Sequence, residues 1–181
     1  MSNILLFNAS NSSTSIHASI LDAIEPMLAG HALTRRSTRD VELPLFSQDL
    51  EREQTAYPQP AQDFLDLIHS HDAIVLTCPE HNSAIPAAFK NLYDWGTRVA
   101  MSRKTKLFNE RPVLLFSTSG GARGAKTALG YLEMALPFQG ASIVGATSIP
   151  QYYEHFKDGK PDAATEATIR ADVDKLKAVL A

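Results

Sequence analysis

The chain has 181 residues, of which 44% are apolar and 20% are charged. This length predicts a single domain, residues 1–181, with a sizeable core. The net charge of −3 gives no general attraction to nucleic acid or to an anionic membrane, and no apolar run is long enough to span a bilayer. The lone cysteine, Cys78, cannot form an internal disulfide and fits a reducing compartment, so we expect a cytoplasmic protein.

The first predicted strand is followed by a run of small polar residues. Ile4–Phe7 is wholly apolar, which indicates a strand buried on both faces. Every residue from Asn8 to Ser15 except one alanine carries a hydroxyl or an amide, and Ile16–Leu28 then shows helical spacing. Because the first N–H groups of a helix are unpaired, this loop predicts an anion site suited to phosphate. The alternative is a helix N-cap with more polar side chains than it needs.

The next stretch predicts a second strand, a long connection, a helix and a third strand. Gly30 is placed to end the first helix, as a C-cap glycine does. The edge strand lies within His31–Arg39, the connection covers Val41–Glu51, the helix covers Ala61–Ser70, and the third strand is Ala73–Thr77.

A second polar loop follows the third strand. The segment Pro79–Pro86 has a proline at each end, and between the two prolines lie an acid, an imidazole, an amide and a hydroxyl. Proline stops a strand and suits the first turn of a helix, here Ala87–Trp95. Ligands of open α/β sheets bind outside the carboxyl ends of the strands, so this loop predicts a ligand site. A plain strand-to-helix connection is the alternative.

The second half of the chain repeats the pattern. Gly96–Glu110 is basic and is expected to be a surface loop, either solvated or facing a dinucleotide phosphate. Ser117–Gly124 is a third polar loop, in which glycines allow the backbone close to a ligand. The predicted elements are a strand over Val113–Phe116, a helix over Ala125–Leu136, a strand over Ser142–Ala146, a connection over Tyr152–Pro161 and a helix over Ala163–Leu180.

Five alternations of strand and helix predict a three-layer α/β fold with a parallel sheet covered on both faces. In the flavodoxin-like order 2-1-3-4-5, the loops after strands 1, 3 and 4 meet at one edge. One of these loops suits a phosphate and two suit a flat heterocycle, which is the layout of an FMN site.

The second loop and the helix after it carry a family resemblance. Pro79–Pro86, followed by Lys90-Asn91 and Asp94-Trp95, resembles the motif Pro-Glu-Tyr-Asn-x-Ser-x-Pro, Lys-Asn, Asp-Trp of the NADPH-dependent FMN reductases. These are flavodoxin-like flavoproteins that include quinone, azo-dye and chromate reductases. In the first loop, Ser10 and Ser15 match the family's two serines. Ala9, Ser12 and His17 replace its glycine, arginine and asparagine.

The resemblance implies a non-covalently bound FMN, with NADPH or NADH as hydride donor and a quinone or similar small molecule as acceptor. It implies no catalytic side chain and no metal, because the flavin carries the chemistry. The implied phosphate ligands are Ser10, Ser12, Ser15 and His17. The residues expected to line the flavin ring are Pro79, Glu80, His81 and Asn82, and those at its far edge are Thr118, Ser119 and Gly120.

The resemblance also implies a homodimer or homotetramer. Interface candidates are Phe89, Leu92, Tyr93 and Trp95, for which burial in the core is the alternative. Two other classes of protein stay open at the sequence level. One is a flavodoxin-like electron carrier, and the other is a regulatory or scaffold protein that has lost its flavin. The missing arginine at Ser12 favours the latter, although a protonated His17 would restore part of the charge.

Overall fold

The computed structural model describes residues 1–181 as a five-stranded parallel sheet between two layers of helices. The sheet order is β2-β1-β3-β4-β5, which confirms the order expected from the sequence. The strands are β1 (Asn3–Asn8), β2 (Ala32–Ser37), β3 (Ala73–Thr77), β4 (Pro112–Thr118) and β5 (Ser142–Ile149). The helices are α1 (Ile16–Ile24), α2 (Gln48–Glu53), α3 (Gln59–His69), α4 (Ala87–Ser102), α5 (Lys126–Ala135), α6 (Tyr152–His155) and α7 (Ala163–Leu180).

The central strands are apolar on both faces because helices cover both sides of the sheet. In β1, Leu5 and Phe7 belong to a core of 26 buried residues shared with α3, α4 and α5. Ile4 and Leu6 belong to a second core of 17 residues shared with α1 and α7. This alternation along a single strand fixes its register, since a one-residue slip would exchange the two sets of side chains.

Two boundaries in the first half differ from the predicted ones. α1 ends at Ile24, and Glu25–Leu28 is a 3₁₀ turn, because Pro26 has no N–H to continue the α-helix. The predicted connection contains the short helix α2, whose N-cap Ser47 accepts the N–H of Leu50. The serine before Gln48 was the capping signal for this helix.

The basic stretch predicted as a surface loop continues α4 by another two turns, to Ser102. Gly96 lies within this helix where a Cβ would come 3.1 Å from the Phe64 ring, so its small size allows α3 and α4 to pack closely. Arg98 pairs with Glu51 at 2.7 Å, and Arg103 pairs with Asp66. The arginines of this stretch therefore bind the protein's own carboxylates.

The four aromatic and aliphatic residues considered for an interface lie in the core of the chain itself, so core burial was the correct alternative and the interface assignment was not. Phe89, Leu92, Tyr93 and Trp95 are each at most 9% exposed. The Trp95 indole donates to the Pro44 carbonyl at 2.8 Å and meets the Phe46 ring edge-on at 5.1 Å. Tertiary packing, not a partner, accounts for these side chains.

The connection after β5 is more ordered than the sequence suggested. It forms α6 and a small antiparallel hairpin of β6 (Phe156–Lys157) and β7 (Lys160–Pro161). Tyr152 stacks on Phe156 with ring centroids 4.6 Å apart, which holds this segment against the second core. None of the helices combines the length and the apolarity that a membrane crossing requires.

Candidate active site

The carboxyl ends of β1, β3 and β4 bring the three polar loops together, as the sequence predicted. Asn8 is paired with Thr77, and Thr77 is paired with Phe116, so the strands end at one edge. The backbone N–H of Thr118 donates to Nε2 of His17 at 3.2 Å, which links the first loop to the third. Ser117 Oγ donates to the Cys78 carbonyl, which links the third loop to the second.

The first loop is held by hydrogen bonds between near neighbours. The Asn8 side chain accepts the N–H of Ser10 at 3.0 Å, and Ser10 Oγ accepts the N–H of Ser12 at 3.1 Å. Ser12 Oγ accepts the N–H of Thr14, and Ser15 Oγ caps α1 by accepting the N–H of His17 at 3.2 Å. The backbone N–H groups of Asn11, Ser13, Ser15 and Ile16 have no acceptor within the protein.

These free donors stand at a helix N-terminus, where the helix dipole favours a negative ligand. Asn11 and Ser13 are exposed, and Ser15 and Ile16 are partly so. The loop contains no charged residue from Asn8 to Ile16. The segment therefore suits a phosphate by its amides and hydroxyls, and it supplies no formal charge of its own.

His17 does not supply that charge either. Its ring is 2% exposed, and burial lowers its pKa to about 4, although a hydrogen bond to the Cys78 backbone opposes the shift. The imidazole is neutral near pH 7 and accepts the N–H of Thr118. The sequence-based idea of a protonated His17 beside the phosphate was wrong, because the ring is buried between the loops.

The second loop forms a tight hairpin. His81 and Ala84 exchange backbone hydrogen bonds of 2.8 and 3.0 Å. Asn82 and Ser83 between them have φ values of 52° and 62°, as in a type I′ turn. His81 and Asn82 are exposed and project from the rigid turn, while Pro79 at its base is buried. The two exposed side chains are therefore accessible to a ligand.

The Glu80 carboxylate caps helix α5, whereas the motif suggested that this residue lines the flavin ring. Its Oε2 accepts the N–H groups of Thr127 and Ala128 at 2.9 and 3.1 Å, which are orphan donors at the start of α5. Its Oε1 lies 3.5 Å from Arg123, and the side chain is only 10% exposed. The carboxylate thus caps α5 and complements its dipole, which leaves the backbone of Glu80 to face a ligand.

The third loop begins later than predicted, because Ser117 and Thr118 are the last residues of β4. Thr118 is 1% exposed and its hydroxyl donates to the Ile149 carbonyl at 2.7 Å. Ser119 is partly buried and Gly120 is exposed. The ring of Tyr153 lies against Gly120, where a Cβ would come within 3.1 Å of it.

The structure thus divides the predicted site residues into two groups. Those that support the loops through buried or capping side chains are Ser10, His17, Pro79, Glu80 and Thr118. Those with atoms open to a ligand are Ser12, Ser15, His81, Asn82, Ser119 and Gly120. Sequence reasoning did not include Asn8, which braces the first loop, or Tyr153, which borders the third. Tyr153 follows the carboxyl end of β5, and that position was the signal for it.

A doubly wound parallel sheet with a loop of free backbone N–H groups after β1 and two further loops at its switch point defines a flavodoxin-like protein. The sequence pattern of the NADPH-dependent FMN reductase family matches residues 2–154. The chain therefore belongs to this family and is an NAD(P)H-dependent oxidoreductase, for which FMN is the family's cofactor.

A curated relative agrees with the family assignment, and solved structures share the fold. A quinone reductase of Pseudomonas putida is 31% identical over 157 residues, which are 82% of this chain and 78% of that protein. The flavoenzyme NAD(P)H:(acceptor) oxidoreductase FerB of Paracoccus denitrificans shares the fold with a TM-score of 0.73 and 22% identity over 98% of each chain. An FMN complex of an NADH-azoreductase from Bacillus anthracis has a TM-score of 0.62 and 16% identity, covering 98% of this chain and 99% of that one.

Proposed function

We propose that the protein binds FMN and passes hydride from NAD(P)H to a quinone or a similar small acceptor. The observation that carries the proposal is the set of four free N–H groups, those of Asn11, Ser13, Ser15 and Ile16, next to two further loops at the sheet's switch point. The donors suit a phosphate dianion, and the flat exposed turn at His81–Ala84 suits one edge of a planar ring. The residues present thus fit both ends of FMN.

In this proposal the side chains bind and orient, and FMN supplies the hydride chemistry when bound. Ser12 and Ser15 direct hydroxyls and neighbouring amides at the phosphate. His81 and Asn82, with the backbone of Glu80, line one edge of the ring, and Ser119 with Gly120 lines the other. Buried Glu80 and His17 hold the loops in place, so the ligand meets a preformed site.

A titration of the purified protein with FMN, followed by flavin fluorescence, tests this proposal. We expect quenching by FMN at lower concentration than by riboflavin, which lacks the phosphate. Anaerobic NADPH added to the complex is then expected to bleach the flavin absorbance, and a quinone to restore it. Bleaching that needs a partner protein would favour an electron carrier, and absence of quenching at micromolar FMN would favour a flavin-free scaffold.

We also propose a homodimer or homotetramer, which is what the family resemblance implies, and a cytoplasmic location, which the lone Cys78 led us to expect. The four residues first chosen for the interface are buried, so the contact surface must involve others. Sedimentation of the FMN-loaded protein at several concentrations gives the mass of the assembly. A monomer at all concentrations would contradict this part of the proposal and leave the flavin chemistry unaffected.

A further inference from the structure

A cavity of about 240 Å³ opens at the carboxyl end of β2, on the side of the first loop away from β3. Register places it there, because Asn8 of β1 is paired with Ser37 of β2. Ser12 and Ser13 of the loop form one wall. The opposite wall contains three arginines and one aspartate, namely Arg35, Arg36, Arg39 and Asp40.

The three arginines differ in how they are paired. Arg35 is bound by Asp22 and by the Ala18 carbonyl, and Glu25 lies 3.5 Å from it. Arg36 has one hydrogen bond, of 2.7 Å, to the carbonyl of Arg35. Arg39 has no hydrogen bond and no ion pair. Two cations on this wall are therefore without an anionic partner.

The carboxylates around these cations are engaged elsewhere. Asp40 accepts the N–H and the hydroxyl of Ser37 at 2.9 and 3.1 Å. Asp63 lines a neighbouring cavity that Arg36 also borders, and it accepts from Gln59 at 2.7 Å. Neither carboxylate forms an ion pair with Arg36 or Arg39, so the cavity has a positive wall facing the hydroxyls of the loop.

The arginine wall has the positive charge that the first loop lacks. The loop contributes amides and hydroxyls only, and the buried His17 is neutral near pH 7. A phosphate dianion needs cationic partners to be held tightly, and guanidinium groups match its geometry. Arg36 and Arg39 are the unpaired cations that border the loop directly.

We propose that Arg36 and Arg39, together with Ser12 and Ser13, form a binding site for a phosphomonoester. The proposal rests on the function proposed above. It assigns to β2 and to the 3₁₀ turn after it the positive charge that the family motif has as an arginine at the position of Ser12. Two ligands of the reaction contain a phosphomonoester, namely the 5′-phosphate of FMN and the 2′-phosphate of NADPH. The chemistry recognised is the same, and the two sources are separable by experiment.

The test compares wild-type protein, the double variant Arg36→Ala/Arg39→Ala and a control, Arg170→Ala, which removes an exposed charge from α7. Dissociation constants for FMN and riboflavin are measured by fluorescence quenching. The FMN-loaded proteins are then compared in KM for NADPH and for NADH. Thermal unfolding of each variant establishes that it is folded.

Binding of the phosphate source is expected to weaken about five- to twentyfold in the double variant, and the loss should shrink at high salt. If the double variant binds FMN more weakly and riboflavin with unchanged affinity, the bound group is the FMN phosphate. If its KM for NADPH rises while its KM for NADH is unchanged, the bound group is the 2′-phosphate of NADPH. Arg36→Lys/Arg39→Lys should recover part of the affinity. If wild type prefers FMN to riboflavin and the double variant changes neither FMN nor NADPH binding, the arginine site is overturned and the proposed function stands. Wild type that binds neither flavin overturns both.

Discussion

The first loop and the two later loops are built in different ways. From Asn8 to Ser15 the side chains bond to backbone groups two residues away, and four N–H groups stay free. The second and third loops are fastened by contacts across the sequence, such as Glu80 to α5 and Ser117 to Cys78. Backbone donors in the first region stay free, whereas side chains in the second are mostly used to fix the backbone.

This contrast indicates where changes should affect folding and where they should affect binding. The contacts of the second region join distant parts of the chain, so their loss acts on the free energy of unfolding. The hydrogen bond between Ser12 and Thr14 in the first region is local and exposed, so its loss acts mainly on the ligand. Four substitutions sharpen the comparison.

The largest effect is expected for Gly124→Ala in the third loop. Gly124 has φ of +57°, and a Cβ would overlap Ser148 Oγ and come 2.8 Å from the backbone nitrogen of Pro150. Left-handed strain and the clash should together lower the free energy of unfolding by about 4 kcal/mol. The control is Gly121→Ala, where nothing lies within 4 Å. Equal urea midpoints for the two variants would contradict the prediction.

His17 should make stability depend on pH. Its folded pKa of about 4 lies below the ordinary 6.5, so the unfolded chain binds the proton first as the pH falls. Its contribution is complete above pH 6.5 and is lost on acidification towards pH 4. The loss is about 2 kcal/mol by pH 5 and about 3 kcal/mol by pH 4.

His17→Gln keeps an acceptor for the Thr118 N–H and removes this proton. Urea unfolding of both proteins at pH 7, 6, 5 and 4 is the measurement, and the difference between them isolates His17 from other titrating groups. Parallel stability curves for the two proteins over this range would show that the ring is not buried as a neutral imidazole.

Glu80→Ala should lower the free energy of unfolding by about 2 kcal/mol, because it leaves two N–H groups of α5 without their cap. A decrease in Tm of about 4–8 °C is expected for a chain of this size. Glu80→Gln should lose less, since its amide oxygen still accepts. Glu133→Ala, on the exposed side of α5, is the control and should leave Tm nearly unchanged.

The smallest effect on stability is expected in the first loop. Ser12→Ala removes the acceptor of the Thr14 N–H, which is exposed and can bond to water instead. The free energy of unfolding should change by less than about 0.5 kcal/mol. FMN should bind about threefold more weakly, through loss of one hydroxyl donor. A large loss of stability in urea would show that this loop is fastened as firmly as the other two.

Local patterns in the sequence were sufficient for the sheet and for the three polar loops that meet at one edge of it. Apolar runs such as Ile4–Phe7 and Ala73–Thr77 gave the strands, and the polar residues after them gave the three loops. Strand–helix alternation then determined a parallel sheet with right-handed connections. Errors occurred where a local signal was weak, as at Pro26, Ser47 and Gly96.

Only the tertiary structure decided which atoms of the motif face a ligand. Glu80 belongs to the motif, yet its carboxylate caps a helix that begins 46 residues later. His17 loses its charge because the folded loops exclude water from the ring. Arg36 and Arg39 border the first loop because β2 pairs with β1. Burial, charge and contacts between distant residues depend on the packed chain, whereas strand and loop patterns depend on near neighbours.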